Sequence, residues 1–460
     1  MLWWTRGWGG HSVVPFRAPG ARCARRAGRP GRRRRAARKV VHPKCAQFFC
    51  FISPPVSDVA AARRSMSLPA VEGVVPENLP DKDKVYFNDY ATLVQQQGML
   101  QDSVRTSIYQ FAVLENKSDF TGQTVLDVGA GTGILSFFAA RAGAKRVYAV
   151  EASGMARHAE TLAKANGLAD TIHVLNERVE DVKVDEGRVD VLISEPLGIA
   201  LVNERMLESY VYARDHLLKP GGKMFPDHSV MYAAPFSDDA LYSEQLAKAN
   251  FWCQTNFYGV DLTSLREAAQ SFYFSQPVVG PVSPHTLLSL PVAKNFDFNT
   301  ITADELVRFD VPLAFTTSNV CQLHGVAVWF DCRFPGSQQQ LMLSTSPHDP
   351  LTHWYQVRIM LRAPIAVGAG HQIVGTCKFE ANEARGYNIK LSLTNANTGM
   401  SCENTVVSQC ALHHFQYTSQ QSAAYVAPAM PMAGAPTQPQ APYAAPPAPS
   451  DDPGVECASP

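Results

Sequence analysis

Residues 124–135 read TVLDVGAGTGIL, an apolar run followed by three closely spaced glycines. The run Thr124–Val128 predicts a buried strand, and Ile134–Ala142 predicts a helix because its apolar residues recur on one face. The glycines between them predict a tight turn that lets the backbone come close to a ligand at the start of the helix. Residues 84–115, before this stretch, are predicted to be helical. The stretch itself predicts the ligand-binding strand and helix of an α/β domain.

The alternation of strand and helix continues after this turn. Arg146–Val150 predicts a second strand that ends at Glu151, and a helix is predicted from there to about Asn166. Two more strands are predicted at Thr171–Leu175 and Val189–Ile193. Strands that alternate with helices form a parallel sheet covered on both faces. The sequence therefore predicts a doubly wound, Rossmann-like α/β domain.

The spacing of the glycines narrows the class of ligand. Gly129, Gly131 and Gly133 form a Gly-x-Gly-x-Gly turn, and Ile134 stands where the dinucleotide fingerprint has its last glycine. Without that glycine, close passage of a pyrophosphate is disfavoured. A nucleoside without phosphates fits better; S-adenosylmethionine is the obvious one, while NAD(P) stays open on spacing alone. Glu151 is placed to accept hydrogen bonds from a ribose diol.

A second loop carries two acids. Residues 194–209 read SEPLGIALVNERMLES and lead into a helix predicted at Met206–Leu218. Glu195 and Glu204 stand on this loop, separated by an apolar segment. Two carboxylates on an apolar loop are costly to bury unless a cation joins them, and a guanidinium pairs well with carboxylates. We favour a paired cation site over the alternatives, which are surface acids or caps of the following helix.

The pattern changes from about Met224. Residues 387–393 alternate apolar and polar side chains, as in a half-buried strand, and Phe251–Gln276 interrupts this part with a mixed aromatic segment for which a helix is one interpretation. The other strand candidates are Val307–Phe315, Val320–Phe334, Gln340–Ser344, Trp354–Leu361, Gln372–Phe379 and Val407–Tyr417. Period-two runs of this kind predict an antiparallel sheet or barrel.

The two ends of the chain differ in composition from its middle. Residues 1–57 hold 13 of the 41 Lys and Arg residues and none of the 41 Asp and Glu residues, so the formal net charge of zero hides an acidic remainder. Residues 1–80 are predicted to be a basic, disordered leader. Three hypotheses fit residues 1–65: an organelle transit peptide, a nuclear-import or nucleic-acid-binding tail, or translated sequence upstream of Met66. Residues 419–460 hold 10 of the 32 prolines and are predicted to be disordered.

Cysteine and hydropathy patterns argue against several classes of protein. The ten cysteines are scattered, without a Cys-x-x-Cys pair or a Cys/His cluster of zinc spacing, so we predict reduced thiols in an intracellular protein and no metal site. No apolar run reaches the ~20 residues of a membrane span, so no membrane partner is expected. The acidic body suits a basic protein substrate, and no direct binding of nucleic acid by the folded core is expected.

Five motifs occur together in this chain: Tyr86-Phe87 with Tyr90, Gln101–Thr106, Val125–Gly133, Ser194–Ser209 and Leu351–Gln356. Together they resemble the motifs of the type I protein arginine methyltransferases, most of all the coactivator-associated members and their plant relatives. The resemblance covers roughly residues 84–417. It implies an S-adenosylmethionine-binding α/β domain at residues 81–223 and an antiparallel β-barrel domain at residues 224–418, with a dimerisation arm inserted near residues 251–276.

The resemblance also implies an activity, partners and a location. Family members use S-adenosylmethionine to make mono- and asymmetric dimethylarginine on proteins, with histone tails and RNA-processing proteins as the implied substrates. A homodimer is implied, and so is a location in the nucleus and cytoplasm, with organelle targeting by the Arg-rich leader left open.

Site residues follow from the resemblance position by position. The implied catalytic residues are Glu195 and Glu204, which grip the substrate guanidinium, and His353 with its partner Asp102. The implied cofactor-binding residues are Tyr90, Gln96, Arg105, Gly129, Gly131, Glu151, Glu180, Met206 and Ser209, with Arg105 on the methionine carboxylate. The alternative for Arg105 is a partner for a local acid. The implied substrate-pocket residues are Tyr86, Phe87, Met99 and Trp354.

The chain departs from the family pattern between the two glutamates. Leu197 and Ile199 replace the usual Met and Tyr. Ile199 removes an aromatic wall or hydroxyl, which puts the shape of the pocket in question. This change favours one alternative, a catalytically weak scaffold that keeps the fold. A second alternative, a small-molecule methyltransferase or dinucleotide-dependent oxidoreductase, also stays open, although a neutral small substrate would not need the two loop glutamates.

Overall fold

The computed structural model describes residues 81–410 and 416–417. The predicted basic leader and the predicted Pro/Ala-rich tail lie outside the described residues. Within the described ranges, none of the helices is long and apolar enough to cross a bilayer.

Three helices open the described chain: α1 (Asp81–Tyr90), α2 (Leu93–Gln101) and α3 (Ser103–Leu114). The predicted helical stretch 84–115 is divided because two side chains each begin a new helix. The hydroxyl of Thr92 accepts a hydrogen bond from the backbone N–H of Gln95 at the start of α2, and the carboxylate of Asp102 accepts one from the N–H of Arg105 at the start of α3.

A parallel sheet follows, in the strand order β3-β2-β1-β4-β5. Its members and their helices are β1 (Thr124–Val128), α4 (Ile134–Arg141), β2 (Arg146–Val150), α5 (Ala156–Ala165), β3 (Ile172–Leu175), β4 (Val189–Ser194), α6 (Met206–Leu217) and β5 (Leu218–Phe225). The predicted doubly wound domain is confirmed. The strand order reverses between β1 and β4, so the loops after these two strands flank the crevice where such sheets place ligands.

The second part of the chain is mainly antiparallel. One sheet has the order β16-β7-β12-β10-β6-β8, with β11 paired to β10, and the other has the order β15-β14-β13-β9. The strands are β6 (His228–Phe236), β7 (Val278–Gly280), β8 (Val292–Asp297), β9 (Arg308–Thr316), β10 (Cys321–Pro335), β11 (Gln340–Ser344), β12 (Gln356–Val367), β13 (Gln372–Ala381), β14 (Tyr387–Asn395), β15 (Ser401–Val407) and β16 (Gln416–Tyr417). The predicted antiparallel barrel domain is confirmed at the level of the fold.

Two strand predictions in this part need correction. The strand predicted at Trp354–Leu361 begins at Gln356, because Tyr355 has a left-handed backbone with φ of 51° that turns the chain. The single strand predicted at Val407–Tyr417 is wrong, because β15 ends at Val407. After it, Ser408 still contacts Tyr387 through its side chain and its backbone N–H, but residues 408–410 are not part of a strand.

One hydrophobic core runs through both parts. Asn116, fully buried at the end of α3, donates to the carbonyl of Gln339 at 2.8 Å and accepts from the N–H groups of Gln338 and Gln339. In the barrel, the rings of Phe309 and Phe379 stack at 4.7 Å. The sheet domain and the barrel are therefore joined by fixed contacts, which matters for a site built from both.

The segment from Asp239 to Phe274, called the arm below, stands between β6 and β7. It contains α7 (Asp239–Asn250) and α8 (Arg266–Phe274), and short 3-10 helices lie between them. The predicted helical insertion is confirmed for α8. Large apolar side chains stay exposed here: Phe251, Phe257, Tyr258, Val260, Leu265 and Phe272.

The last α-helix of the described chain, α9 (Ala303–Val307), is capped by Thr302 and leads into β9.

Candidate active site

A cavity of about 650 Å³ lies at the carboxyl edge of the parallel sheet, between α1, α2 and the barrel. It brings together side chains that are far apart in the sequence. All but one of the predicted site residues line it: Tyr86, Phe87, Tyr90, Gln96, Met99, Arg105, Gly129, Gly131, Glu151, Glu180, Glu195, Glu204, Met206, Ser209, His353 and Trp354. Asp102 stands behind the wall, in contact with His353.

The glycine turn after β1 is packed against two side chains from other elements. Gly129 and Gly131 have φ of 68° and 57°, which favours glycine. A Cβ on Gly129 would come within 2.2 Å of the Met206 Cε, and one on Gly131 within 2.6 Å of the Gln96 Oε1. The turn therefore needs glycine for its conformation, whereas the ends of the Met206 and Gln96 side chains could shift to admit a Cβ.

Glu151 is held in one orientation at the end of β2. Its two carboxylate oxygens accept hydrogen bonds from the N–H of Gly131 at 2.8 Å and from the N–H of Ser153 at 2.7 Å. The side chain of Asn176 donates to its carbonyl at 2.8 Å. Each carboxylate oxygen still has a lone pair for a ligand hydroxyl. On another wall, Glu180 accepts from the hydroxyl of Ser209 at 2.9 Å.

The loop after β4 is wound tightly on itself. Ala200, Leu201, Glu204 and Arg205 all have positive φ, between 51° and 74°. Left-handed backbone costs a residue with a side chain roughly 1–2 kcal/mol. A Cβ on Gly198 would lie 1.8 Å from the carbonyl oxygen of Asn203, so the two limbs of the loop almost touch. This folding brings Glu195 and Glu204 to the same cavity.

Glu204 is a half-buried carboxylate that accepts hydrogen bonds from two phenols. Its Oε2 accepts hydrogen bonds from Tyr90 at 2.6 Å and from Tyr86 at 3.3 Å, both from α1. Burial, and then the charge of Glu195, raise the pKa of Glu204 from 4.5 to about 7, although the hydrogen bond from Tyr90 opposes the rise. A cationic ligand would stabilise the charged form of this carboxylate, so Glu204 is placed to bind one.

Glu195 is paired with Arg105 in this structure. Its Oε2 accepts from the Arg105 Nε at 3.0 Å and the Nη2 at 2.8 Å, and both side chains are buried. Its other oxygen accepts from the N–H of Leu197 at 3.1 Å. The residue predicted to hold the cofactor carboxylate therefore contacts one of the two residues predicted to hold the substrate.

His353 comes from the loop before β12 and meets α3. Its Nδ1 lies 2.7 Å from the Asp102 Oδ2, which also accepts the His353 N–H at 2.8 Å. Burial would raise the pKa of Asp102, but the hydrogen bonds from His353 and Arg105 outweigh it and lower the pKa below its usual value. Asp102 therefore stays ionised and orients the imidazole.

Trp354 ties the barrel to the double-glutamate loop. Its indole N–H donates to the carbonyl of Leu197 at 2.9 Å, and its ring lies 4.0 Å from that of His353. Leu197 and Ile199 themselves are buried and line the cavity. The two residues that depart from the family pattern thus form part of the wall.

Sequence reasoning missed one residue of this site, Arg385. Its Nε donates to the carbonyl of Glu204 at 3.1 Å, and its Nη1 lies 2.9 Å from an oxygen of Asp83. It stands in the turn between β13 and β14, 181 positions from Glu204 and 302 from Asp83. No local pattern links residues so far apart in sequence, so nothing in the sequence singled it out.

The raised pKa of Glu204 predicts a pH-dependent stability. Below pH 4.5 the carboxyl is protonated in both the folded and the unfolded chain; from there to about pH 7 only the unfolded chain loses the proton, so rising pH favours unfolding. Glu204→Gln resembles the protonated form. We expect it to raise the free energy of unfolding by about 3 kcal/mol at pH 8, with the gain absent at pH 4. Urea unfolding without ligands at both pH values measures this.

An exposed glutamate provides the control. Glu403 pairs with Lys390, which lowers its pKa, so Glu403→Gln should not stabilise the protein at pH 8. If the two substitutions change the free energy of unfolding at pH 8 equally, the folded protein does not disfavour the charged form of Glu204.

Family models match both parts of the chain. The model described as the arginine methyltransferase oligomerization subdomain matches residues 227–398, and a methyltransferase domain model matches residues 125–222.

Curated relatives are similar over the same region. The chain is 51% identical over 321 residues to the probable histone-arginine methyltransferase CARM1 of Oryza sativa subsp. indica, which covers 70% of this chain and 61% of that protein. It is 47% identical over 333 residues to the histone-arginine methyltransferase CARMER of Drosophila persimilis, covering 72% and 62%. The chain thus spans about three fifths of the length of the curated relatives it matches.

Solved structures agree in fold. The PRMT1 enzyme-prozyme heterotetrameric complex of Trypanosoma brucei with AdoHcy is 31% identical, with a TM-score of 0.63 over 70% of this chain and 100% of that one. Protein arginine methyltransferase 10 of Arabidopsis thaliana is 32% identical, with a TM-score of 0.64 over 70% and 99%. With this likeness over the full length of solved relatives, the chain belongs to the protein arginine methyltransferase family.

Proposed function

We propose that this chain is an S-adenosylmethionine-dependent, type I protein arginine N-methyltransferase that makes mono- and asymmetric dimethylarginine on proteins such as histones. The observation that carries the proposal is the pair of half-buried carboxylates, Glu195 and Glu204, which one tightly wound loop directs into a single cavity. A neutral small substrate would not need both. The names of the curated relatives, which are histone-arginine methyltransferases, support the substrate class.

The cavity fits the proposed cofactor. The cavity has a volume of about 650 Å³, the glycine turn and Glu151 line it, and Glu151 is fixed next to this turn with lone pairs to spare. Glu151 would hold the ribose hydroxyls, Arg105 the methionine carboxylate, and Glu180 would lie near the adenine. The remaining proposed contacts are Tyr90, Gln96, Met206 and Ser209. When bound, S-adenosylmethionine supplies a methyl group already activated by its sulfonium.

The chain's own task is to position a guanidinium and shift its charge. A delocalised guanidinium is a poor nucleophile. Glu195 and Glu204 would hold it and keep the positive charge near the nitrogens they contact, which leaves the remaining nitrogen better able to attack. Tyr86 and Tyr90 fix the Glu204 carboxylate for this, at hydrogen-bond distance.

A proton must also leave the guanidinium. Free arginine is deprotonated only above pH ~12, so we expect the proton to leave during or after methyl transfer. Glu204, with a pKa raised to about 7, can accept a proton at physiological pH. The His353–Asp102 pair and water are the other acceptors within the proposal.

Met99, Phe87 and Trp354 would shape the pocket around the reacting nitrogen.

Mass spectrometry of the products tests this function. Residues 66–460 are incubated with S-adenosylmethionine and a histone mixture. Asymmetric dimethylarginine is the expected product. Monomethylarginine alone, or the symmetric product, would keep the family but reject the type I assignment and point to Leu197 and Ile199 as residues that reshape the pocket. Cofactor binding without any product favours the scaffold, for which the changed wall is the supporting observation.

We also propose a homodimer formed through the arm. Its exposed side chains are apolar, with Tyr258 94% and Val260 57% exposed, and clusters of this kind mark interaction surfaces. We expect Tyr258→Asp with Val260→Asp to convert a dimer to a monomer in analytical ultracentrifugation, because burying either charge would be costly. Val320→Asp, at an exposed apolar residue on the barrel, is the control and should leave the dimer intact. A wild-type monomer at micromolar concentration would reject the proposal.

A nuclear and cytoplasmic location is the last part of the proposal. Relatives named for histone methylation support a nuclear site of action. Fluorescence microscopy of the chain with and without residues 1–65 tests it. Organelle import that depends on the leader would overturn it.

A further inference from the structure

The turn between β13 and β14 presents one arginine to the cavity in a fixed orientation. Arg385 has φ of 54°, in the left-handed region. Asn382 holds the turn: its Oδ1 accepts the N–H groups of Ala384 at 3.0 Å and Gly386 at 3.1 Å, and its Nδ2 donates to the carbonyl of Ser408 at 2.9 Å. The guanidinium of Arg385 therefore starts from a rigid base on the barrel.

Arg385 contacts two other parts of the chain. Its Nη1 lies 2.9 Å from the Asp83 Oδ1 on α1, and its guanidinium carbon lies 4.3 Å from the centre of the Tyr86 ring, also on α1. This ion pair is mostly shielded, with side-chain exposures of 19% and 18%. A charged pair and a cation–π contact on the same helix can hold it down on the barrel.

The second contact is with the backbone of the double-glutamate loop. The Arg385 Nε donates to the carbonyl of Glu204 at 3.1 Å. Glu204 and Arg205 form one of the two consecutive pairs of left-handed residues in that loop, with φ of 74° and 57°. A donor on this carbonyl stabilises a peptide group that would otherwise relax.

We infer that Arg385 is a positioning residue that latches α1 over the cavity and holds the Glu204 turn in its left-handed conformation. The latch consists of Arg385, Asp83, Tyr86 and the Glu204 carbonyl. The contacts that form the latch do not depend on the proposed function, whereas its effect on methyl transfer rests on that function. Because Tyr86 and Tyr90 reach Glu204 from α1, loosening the latch also loosens the phenols that fix the carboxylate.

The positive charge of Arg385 allows a second test of the latch, through the pH dependence of kcat/KM. Burial raises the pKa of Glu204, and the positive charge of Arg385 is among the influences that oppose the rise. The charged or titratable groups that face Glu204 are Tyr86 and Tyr90 from α1, Glu195 from its own loop, Arg385 from the barrel and Cys410 after β15. Removing Arg385 should therefore move the acid limb of the pH profile of kcat/KM to higher pH, which a purely structural loss elsewhere would not do.

Hydrogen exchange of the full 460-residue chain tests the latch directly. In the absence of cofactor, Arg385→Gln should speed exchange of the α1 amides by about tenfold. Arg146→Gln is the matched control: its Nη1 also lies 2.9 Å from an aspartate oxygen, but at the start of β2, away from the cavity. An equal α1 exchange rate in the two variants overturns the latch.

Two further variants separate anchoring from charge. Asp83→Asn should speed α1 exchange but move the acid limb upward less than Arg385→Gln does, because the positive charge of Arg385 stays beside Glu204. Arg385→Lys should keep the acid limb near that of wild type but restore the slow exchange only in part, because an ammonium lacks the planar fork of donors. If Arg385→Lys restores both the acid limb and the slow α1 exchange to their wild-type values, the planar fork of donors on Arg385 has no role in the latch. A wild-type chain that binds cofactor but transfers no methyl group rejects the proposed function, and the exchange rates still decide the latch.

Discussion

Replacing Glu204 with Gln should lower methyl transfer by about 1,000-fold or more while cofactor affinity changes by less than about threefold. The amide keeps the volume and can still accept from Tyr90, but it carries no charge to hold the guanidinium. The proposed cofactor contacts Arg105, Glu151 and the glycine turn lie on other elements, and Tyr90, which contacts Glu204, keeps its partner in the amide. Single-turnover rates with saturating cofactor, together with calorimetric titration of S-adenosylhomocysteine, measure both quantities.

The same substitution at an exposed site serves as the control. Glu403 lies on the outer sheet in a pair with Lys390, so Glu403→Gln should leave both rate and affinity unchanged. A loss of cofactor affinity in Glu204→Gln with an unchanged rate at saturation would mean that Glu204 belongs to the cofactor site. It would then not be the guanidinium ligand.

Replacing Glu151 with Ala should weaken cofactor binding by about 100-fold or more. The change removes the proposed acceptor of the ribose hydroxyls. It also leaves the N–H groups of Gly131 and Ser153 without the partner that they have in this structure, and so loosens the glycine turn. Calorimetric titration of S-adenosylhomocysteine measures the affinity.

Glu160→Ala is the control for this prediction. Glu160 is exposed on α5 and pairs only one turn away with Lys164, so its loss should not change the affinity. Unchanged cofactor affinity in Glu151→Ala would contradict the role of Glu151. Glu151→Gln separates the loss of the ribose acceptor from the loosening of the glycine turn, because its amide oxygen can still accept one backbone hydrogen bond.

The fold of the α/β half could be predicted because its strands are buried on both faces. Runs such as Thr124–Val128 and Arg146–Val150 are continuous apolar segments, and the structure has the strands at the same bounds. The strand β5 was missed because Leu218–Phe225 contains Pro220-Gly221-Gly222, which by itself is typical of a turn. Pairing with β4 outweighs that local preference.

The site could be predicted only where it follows the strand ends. Gly129 and Glu195 come directly after β1 and β4, which are neighbours in the sheet, so their meeting follows from the topology. The winding of the loop does not, because Ala200, Leu201 and Glu204 adopt a left-handed conformation that only tertiary packing sustains. The pairing of Arg105 with Glu195 was likewise not foreseen, since each was assigned to a different ligand.

If Arg105 and Glu195 have the roles proposed above, their pairing predicts a compulsory order of ligand addition. Each charge neutralises the other in this structure, and both are buried. A guanidinium that arrives first would take Glu195 and leave Arg105 without an anion, at a cost of about 3–5 kcal/mol. A ligand that brings its own carboxylate to Arg105 sets Glu195 free. We therefore expect peptide binding to be detected by calorimetry only after S-adenosylhomocysteine is present, so that the cofactor acts as the first substrate and admits the second.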